Sequence, residues 1–266
     1  MTNNAARRAA RDYQAANPGT SYTRALRQVS QEQFQPLTAT LGLGLDGRRV
    51  LLNLDWESRG GMGPHCLISG LSAAGSSAIL ATVMEKLHAG QRAGNVDLVF
   101  TGPAAPDVEA PHRYITPDEF PAFIEETVNA RATLLAGAGP VIDVEDARAA
   151  GIRLPTIVVF VDAPTKAVRS ALQAPLRKGR AFGVNFVLAT DIASTPTVQL
   201  DTSREELLFR LIDRASRGGD IEDMFNSVIF NLDDGRVILR SPTTRDDPQS
   251  LLAPRDEIVL FNLTTL

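Results

Sequence analysis

Apolar runs rich in β-branched residues alternate with helical segments through most of this chain, and this alternation most constrains its fold. The clearest run, Ile157 to Val161, is entirely apolar, as expected for a strand buried on both faces. A helical pattern follows from Lys166 to Phe182, and a second buried strand from Val184 to Thr190. Strands that alternate with helices favour a mostly parallel sheet with helices on both faces. We therefore predict an α/β domain over residues 37–266, with no linker long enough to divide it.

Weaker patterns complete this prediction. Thr38 to Leu45 and Arg49 to Leu54 alternate apolar and polar residues around Asp46-Gly47, which is typical of a hairpin. The other predicted strands are His65–Ser69, Val96–Phe100, Leu207–Ile212, Arg236–Leu239 and Glu257–Phe261, and the other predicted helices are Ala74–Leu87 and Phe120–Leu135.

Residues 1–36 form a separate, Ala- and Arg-rich segment that predicts two short helices around Pro18-Gly19. This arm is basic, whereas the whole chain has a formal net charge of -4 and a pI near 5.5. The acidic balance argues against a surface that wraps nucleic acid, since such binding requires neutralised phosphates. Two interpretations of the arm stay open: it packs on the core or on a neighbouring subunit, or residues 1–30 contact DNA or lipid.

Composition excludes several kinds of site. Cys66 is the only cysteine, so an intramolecular disulfide or a multi-thiolate metal site cannot form, and three histidines disfavour a His-rich metal site. No apolar stretch approaches the roughly 18 residues of a membrane span, and the first residues do not resemble a secretory leader. We expect a cytoplasmic location.

The loop after the strand His65–Ser69 has the spacing of a phosphate-binding loop. Its glycines, Gly70 and Gly75, stand at the first and sixth positions, and Ser77 stands at the eighth. Such a loop turns backbone N–H groups towards phosphates, while a lysine reaches the terminal phosphates and a hydroxyl holds Mg²⁺. Here Ser76 occupies the lysine position, and Lys86 lies about 15 Å further along the helix.

The candidate nucleotide-binding residues are therefore Gly70, Ser72, Gly75, Ser76, Ser77 and Asp162. Asp162 follows the buried strand Ile157–Val161, where a P-loop enzyme places the carboxylate that contacts Mg²⁺ through water, so Ser77 and Asp162 are the candidate residues for holding the metal. The alternatives are a plain strand-to-helix turn at the loop and an Asp162 that caps the next turn.

Several segments in order carry a resemblance to a known family. They are Gly60–His65, Asn129–Arg131, Val144–Gly151, Leu154-Pro155, Gly179–Val184, Leu188–Thr190 and Leu208–Arg210. With these segments the chain resembles the FtsK/SpoIIIE group of RecA-like translocases, and most closely the EccC ATPases of type VII secretion. The resemblance implies a RecA-like P-loop core, a site for ATP with Mg²⁺, and assembly with itself or with other RecA-like domains.

The residues that depart from the family pattern stand at the positions of the family's catalytic and phosphate-binding groups. Ser76 replaces the Walker A lysine, Ala163 the Walker B glutamate, and Asp191 the sensor glutamine; Ala73 replaces a loop glycine, and Thr101-Gly102-Pro103 an Asp-Phe-Lys-Gly-like segment. One preorganised charge at a reacting centre contributes about 10²–10³ in rate. Since phosphoryl transfer depends on positioning and charge, the loss of two such groups favours a pseudo-ATPase.

We therefore expect a catalytically degenerate component of a secretion or DNA-transfer assembly, docked to a membrane-associated complex. One alternative is an active ATP-dependent translocase in which Asp191 serves as a displaced base or metal ligand and Arg210 or Arg180 reaches a phosphate or a neighbouring subunit. A DNA-binding module that uses the basic arm is another. If the loop retains nucleotide binding, we expect ATP with Mg²⁺ as the cofactor. If it does not, we expect no cofactor.

Overall fold

The structure, a computed structural model, describes residues 11, 14–15, 17–22, 37–44, 47–55, 61–70, 73–91, 94–139, 141, 143–152, 154–191, 227–231, 236–242 and 256–263. Its strands are β1 (Thr38–Gly44), β2 (Arg49–Asn53), β3 (His65–Gly70), β4 (Val96–Thr101), β5 (Arg113–Tyr114), β6 (Thr156–Asp162), β7 (Val184–Asp191), β8 (Ser227–Asn231), β9 (Arg236–Pro242) and β10 (Asp256–Leu263). Its helices are α1 (Ala73–Ala89), α2 (Phe120–Ala136), α3 (Val144–Ala149) and α4 (Lys166–Phe182).

All these strands belong to one sheet with the order β2-β1-β10-β9-β8-β3-β7-β6-β4-β5. Neighbours from β8 to β5 pair in parallel, which confirms the α/β fold with a parallel core. From β2 to β8 every pair is antiparallel. The predicted hairpin is the β1–β2 pair, and short connections of this kind join antiparallel strands only.

Helices cover both faces of the parallel strands. On one face α1 buries Ile79, Leu80, Val83, Met84 and Leu87 against side chains of β3, β4, β6 and β7, together with the β1–β2 hairpin. On the other face α2 and α4 bury Phe120, Ile124, Val168, Leu172 and Leu176. Alternate residues of β6 enter opposite cores, because side chains alternate across a strand. The apolar residues Ile157 to Val161 of β6 therefore contribute to both cores.

The sequence predicted some elements more closely than others. The predicted bounds of α4 are those observed, and the predicted ends of α1, α2 and β6 differ by one or two residues. The prediction omitted β5, β8 and α3, which are short. The predicted strand Leu207–Ile212 lies outside the described residues.

Only part of the basic arm is described. The predicted turn is present: the Thr20 N–H donates to the Asn17 carbonyl at 3.2 Å, and Gly19 has a φ of 95°. The described residues 11, 14, 15 and 22 are helical, and the remaining residues of the two predicted helices lie outside the described part of the chain. The boundary at residue 36 stays a prediction. Across the described parts of the chain, no helix has the length and apolar character that crossing a bilayer requires.

Candidate functional site

Strands β3, β4, β6 and β7 end at one edge of the parallel sheet, here called the carboxyl edge. The register pairs Gly70 with Asp191 and Asp162 with Ala189, so the ends of three strands are neighbours. Strand β3 continues to α1 on one face, whereas β6 continues to α4 on the other. Ligands of open α/β sheets bind outside the carboxyl ends of the strands, near the place where the following helices pass to opposite faces. The fold thus brings the candidate loop and Asp162 to one place.

Two candidate metal ligands are in direct contact at this edge. The Ser77 Oγ, in the first turns of α1, donates to the Asp162 Oδ1 at 2.9 Å. Asp162 is half-buried, and this burial raises the pKa of its carboxyl, although hydrogen bonds from Ser77 and from the Ala163 backbone act in the opposite direction. The carboxylate is therefore held in surroundings that would favour a bound cation.

The side chain at the lysine position has a different role. Ser76 is 1% exposed, and its hydroxyl donates to the Thr190 carbonyl of β7 at 3.2 Å. This short side chain fastens the start of α1 to the sheet. It brings no charge to the site, because a hydroxyl has none.

The end of β4 adjoins Asp162. A Cβ added to Gly102 would lie 3.0 Å from the Asp162 Cβ, so a larger residue at position 102 would displace the carboxylate. The Tyr114 hydroxyl donates to the Gly102 carbonyl at 3.0 Å and fixes this turn. Glycine at position 102 therefore leaves room for the Asp162 side chain.

Ala163, at the position of the family's glutamate, is exposed and has a φ of 42°. This left-handed conformation is unusual for a residue with a Cβ, and such strain recurs at functional sites. Its N–H donates to the Ala189 carbonyl at 3.1 Å, which extends the pairing of β6 with β7. The methyl side chain offers no group to polarise water.

Two further hydroxyls near the carboxyl edge escaped the sequence interpretation. Ser69 Oγ and Thr101 Oγ1 are buried and have no hydrogen-bond partner. They stand at or next to the ends of β3 and β4, and buried polar groups normally have partners. The sequence feature that could have identified them is a serine or threonine at the end of an otherwise apolar strand.

The structure describes the remaining candidate site residues less completely. Gly75 lies in the first turn of α1, while Gly70 and Asp191 are described by their backbones as the last residues of β3 and β7. Ser72 and Arg210 lie outside the described residues. Arg180 is in the last turn of α4, about 20 Å along that helix from the carboxyl edge, so the structure separates it from the loop of its own chain.

Several residues that carry the family resemblance lie instead at the opposite, amino edge of the parallel strands. Gly183 ends α4 with a φ of 69°, and a Cβ at Gly179 would lie 2.7 Å from the Val184 carbonyl. Arg131 donates to the Pro155 carbonyl at 2.8 Å, and Arg148 to the Thr156 hydroxyl at 2.6 Å and to Glu145 at 2.8 Å. These residues fix the approach to β6 and β7.

His65 also belongs to this framework. Its Nδ1 accepts from the Phe186 N–H at 3.2 Å, so the neutral ring carries its proton on Nε2, which lies 3.0 Å from the Leu176 carbonyl and donates to it. Burial lowers the pKa of His65 to about 4. Backbone groups therefore satisfy both ring nitrogens of His65, and the neighbouring Cys66 is buried in the core.

The donor set at the carboxyl edge fits Mg²⁺. Neighbouring ligands of an octahedral ion with bonds of about 2.1 Å lie about 2.9–3.0 Å apart, and the Ser77 and Asp162 oxygens are 2.9 Å apart. The described residues contain no cluster of three or more His, Cys, Asp or Glu side chains, so this pair would hold the ion only together with water or phosphate oxygens.

No protein-family model matches the chain, and no curated protein matches it by sequence. Its structure is similar to the cytoplasmic domain of the type VII secretion ATPase EccC from Thermomonospora curvata, with a TM-score of 0.61 and 18% identity over 86% of this chain and 28% of that one. It is similar to the pCW3 conjugation coupling protein TcpA, in a monomer form with ATPγS, with a TM-score of 0.55 and 14% identity over 86% of this chain and 66% of that one.

A third similar structure is EssC (ATPases 2 and 3) from Geobacillus thermodenitrificans, with a TM-score of 0.55 and 12% identity over 85% of this chain and 44% of that one. The chain thus spans between 28% and 66% of the length of these three proteins. The fold implied by the resemblance is confirmed: this chain has the RecA-like α/β fold of the EccC, EssC and TcpA ATPase domains.

Proposed function

We propose that this chain is a catalytically degenerate FtsK/EccC-like P-loop domain that acts as a structural or regulatory component of a secretion or DNA-transfer assembly. One observation carries the proposal: Ser77 and Asp162 meet at the carboxyl edge, whereas the side chain at the lysine position is a buried serine bonded to the β7 backbone. The geometry is suited to holding a ligand, and the residue at the lysine position brings no cation to promote a reaction.

The site we propose binds nucleotide weakly with Mg²⁺. Backbone N–H groups from Gly70 to Ser77, including those of Ser72, Gly75 and Ser76, would face the phosphates at the start of α1. Ser77 and Asp162 would hold the Mg²⁺, which supplies charge neutralisation to the phosphates when bound. Without a lysine, affinity depends on the metal, because Asp162 alone would repel the phosphates.

Hydrolysis should be slow for two reasons. No ammonium stands at the loop, and Ala163 cannot orient or polarise an attacking water. Each such group contributes about 10²–10³ in rate. A domain without them can still occupy a position beside active RecA-like domains.

The assembly is proposed from the neighbours. A type VII secretion ATPase and a conjugation coupling protein share the fold, and the first of these structures is a cytoplasmic domain. We propose that residues 37–266 form the RecA-like domain, residues 1–36 a helical arm, and that the chain works in the cytoplasm, docked to a membrane-associated complex through a protein partner or its own copies.

A second candidate function is an active ATPase with a rearranged site. The observation that favours it is the position of Asp191, which ends β7 directly beside Gly70. A carboxylate there could replace the missing glutamate as a base or metal ligand. This function predicts hydrolysis that depends on oligomerisation and disappears in Asp191→Asn.

Calorimetric titration with ATP, with and without Mg²⁺, together with a phosphate-release assay, tests the proposal. We expect Mg²⁺-dependent binding, at least about tenfold weaker in Ser77→Ala and Asp162→Asn, and phosphate release at the buffer background. Ser170→Ala, an exposed serine on α4, is the matched control and should bind as the unaltered chain does.

Two results would contradict the proposal. Rapid hydrolysis abolished by Ser77→Ala would show an active enzyme, and Asp191→Asn would then identify its base. Absence of any binding at millimolar ATP and Mg²⁺ would show that the loop is only a structural turn.

A further inference from the structure

The phosphates of a bound nucleotide would depend on two different parts of the carboxyl edge. In a phosphate-binding loop, backbone N–H groups hold the α- and β-phosphates, whereas the lysine side chain reaches the β- and γ-phosphates. The backbone contribution comes from the loop and from the start of α1, which begins at Ala73. A change of side chains alone therefore removes contacts to the γ-phosphate and leaves those to the α- and β-phosphates.

The side chain at the lysine position is engaged with the sheet. The Ser76 Oγ donates to the Thr190 carbonyl at 3.2 Å, and the residue is 1% exposed. The first basic residue further along α1 is Lys86, about 15 Å from Ser76. The basic residue that follows β6, Lys166, begins α4 on the opposite face of the sheet. These residues therefore bring no ammonium to the place of the missing lysine.

Two acidic residues stand at the carboxyl edge on the face that α1 covers. Asp162 shares the strand alternation of Phe160, and Asp191 that of Ala189, and both apolar residues pack in the core under α1. The register pairs Asp162 with Ala189, so Asp191 lies two positions beyond Asp162 on the adjacent strand. The end of the site that would receive a γ-phosphate is therefore acidic.

One metal ion can offset only part of this negative charge. The Ser77 Oγ and the Asp162 Oδ1, 2.9 Å apart, match a single Mg²⁺. A γ-phosphate adds further negative charge to a nucleotide, and with this Mg²⁺ already engaged that charge would face acidic residues without a cation of its own. Like charges held close together in a partly buried site repel each other.

Neutral donors at the ends of β4 and β6 do not replace the lysine. The Ala163 N–H donates to the Ala189 carbonyl at 3.1 Å, and its side chain is a methyl group. The Tyr114 hydroxyl donates to the Gly102 carbonyl at 3.0 Å. Both donors are used within the fold, so neither compensates for the repulsion of a γ-phosphate.

We propose that this site selects a nucleoside diphosphate over a nucleoside triphosphate, with Mg²⁺ in both cases. The inference rests on the proposed nucleotide binding and goes further, since it names which nucleotide the chain holds. The α- and β-phosphates keep their backbone contacts, whereas a γ-phosphate gains repulsion and no ammonium. Such a domain would stay in a diphosphate-bound state beside neighbours that exchange and hydrolyse ATP.

Calorimetric titration of the whole chain with ADP, ATP and ATPγS, each with excess Mg²⁺, tests the proposal. We expect ADP to bind about tenfold more tightly than either triphosphate, because the γ-phosphate meets like charges. ATPγS resists hydrolysis, so its titration separates a preference for ADP from ADP that the chain itself produces.

Two variants should change this preference by different routes. Ser76→Lys supplies the ammonium and should tighten ATP at least about tenfold relative to ADP. Asp191→Asn removes one negative charge and should reduce the preference for ADP by about threefold or more. Ser170→Lys adds the same charge at an exposed position of α4 and is the matched control, whose ratio of affinities should equal that of the unaltered chain.

Thermal unfolding of each variant checks that the chain folds, and Asp191→Asn tests the proposal even if the buried position of Ser76 does not accept a lysine. The inference is overturned, while nucleotide binding stands, if either triphosphate binds as tightly as ADP or if Asp191→Asn leaves the ratio unchanged. Absence of binding by both ADP and ATP would overturn the proposed function together with this inference.

Discussion

The two edges of the parallel strands differ in how their polar side chains are used. At the amino edge, His65 and Arg148 are bonded to backbone or neighbouring side chains, and Asn185 donates to the Leu54 carbonyl at 3.0 Å. At the carboxyl edge the side chains are short, and the hydroxyls of Ser69 and Thr101 have no partner. The amino edge is held by long polar side chains, whereas the carboxyl edge combines the short side-chain bond from Ser76 to β7 with two buried hydroxyls that have no partner.

The two edges also separate the residues that match the family from those that depart from it. The matching glycines Gly179 and Gly183 are explained by close packing and by a left-handed helix end, and neither contacts the candidate site. The departures Ser76 and Ala163 lie at the other edge. The residues that carry the framework and the residues that depart from the family pattern therefore lie at opposite ends of the strands.

The largest expected effect is at the amino edge. Gly179→Ala would place a Cβ 2.7 Å from the Val184 carbonyl, so α4 must move away from β7. We expect a loss of about 3 kcal/mol in the free energy of unfolding, measured by urea denaturation.

Gly137→Ala provides the control, since a Cβ there would make only an ordinary contact at 3.5 Å. It should change the free energy of unfolding by less than about 0.5 kcal/mol. Equal stability of the two variants would show that the packing of α4 on β7 is looser than the structure indicates.

A second prediction concerns pH. Because the pKa of His65 is lowered to about 4 in the folded state, the unfolded chain binds a proton that the folded chain does not between pH 4 and 6.5. The free energy of unfolding is therefore highest above the pKa of histidine in the unfolded chain. It should decrease by about 2 kcal/mol as the pH falls from 7 to 5.

Urea titrations of the unaltered chain and of His65→Gln at several pH values measure this effect. The variant should be less stable at pH 7, and its stability should depend less steeply on pH over the same interval. Identical slopes in the two proteins would remove His65 as the cause.

The smallest effect on stability is expected at the carboxyl edge. Burial raises the pKa of Asp162, so its charge is not favoured by the fold, and Asp162→Asn should change the free energy of unfolding at pH 7 by less than about 0.5 kcal/mol. The same variant should lose Mg²⁺-dependent nucleotide binding. A large destabilisation would instead identify Asp162 as a structural cap, and the contrast between the edges would fail.

Particular elements show how far the sequence could predict this fold. The bounds of α4 were predicted from its helical pattern, and the structure gives their physical cause: the Thr165 hydroxyl accepts from the Val168 N–H at its start, and Gly183 ends it. Strand β5 was missed, since Arg113-Tyr114 has no pattern of its own and is held by its pairing with β4. The hydrogen bond between Ser77 and Asp162 joins residues 85 positions apart. It could be established only once the order of the strands in the sheet was known.

By itself the sequence determined the alternation of strands and helices, the spacing of the loop glycines and the absence of a lysine, because these are local properties of consecutive residues. The tertiary structure alone decided that Ser76 bonds to β7 and that Gly102 makes room for Asp162. These features depend on which strands become neighbours, and that order follows from burying both faces of the sheet at once.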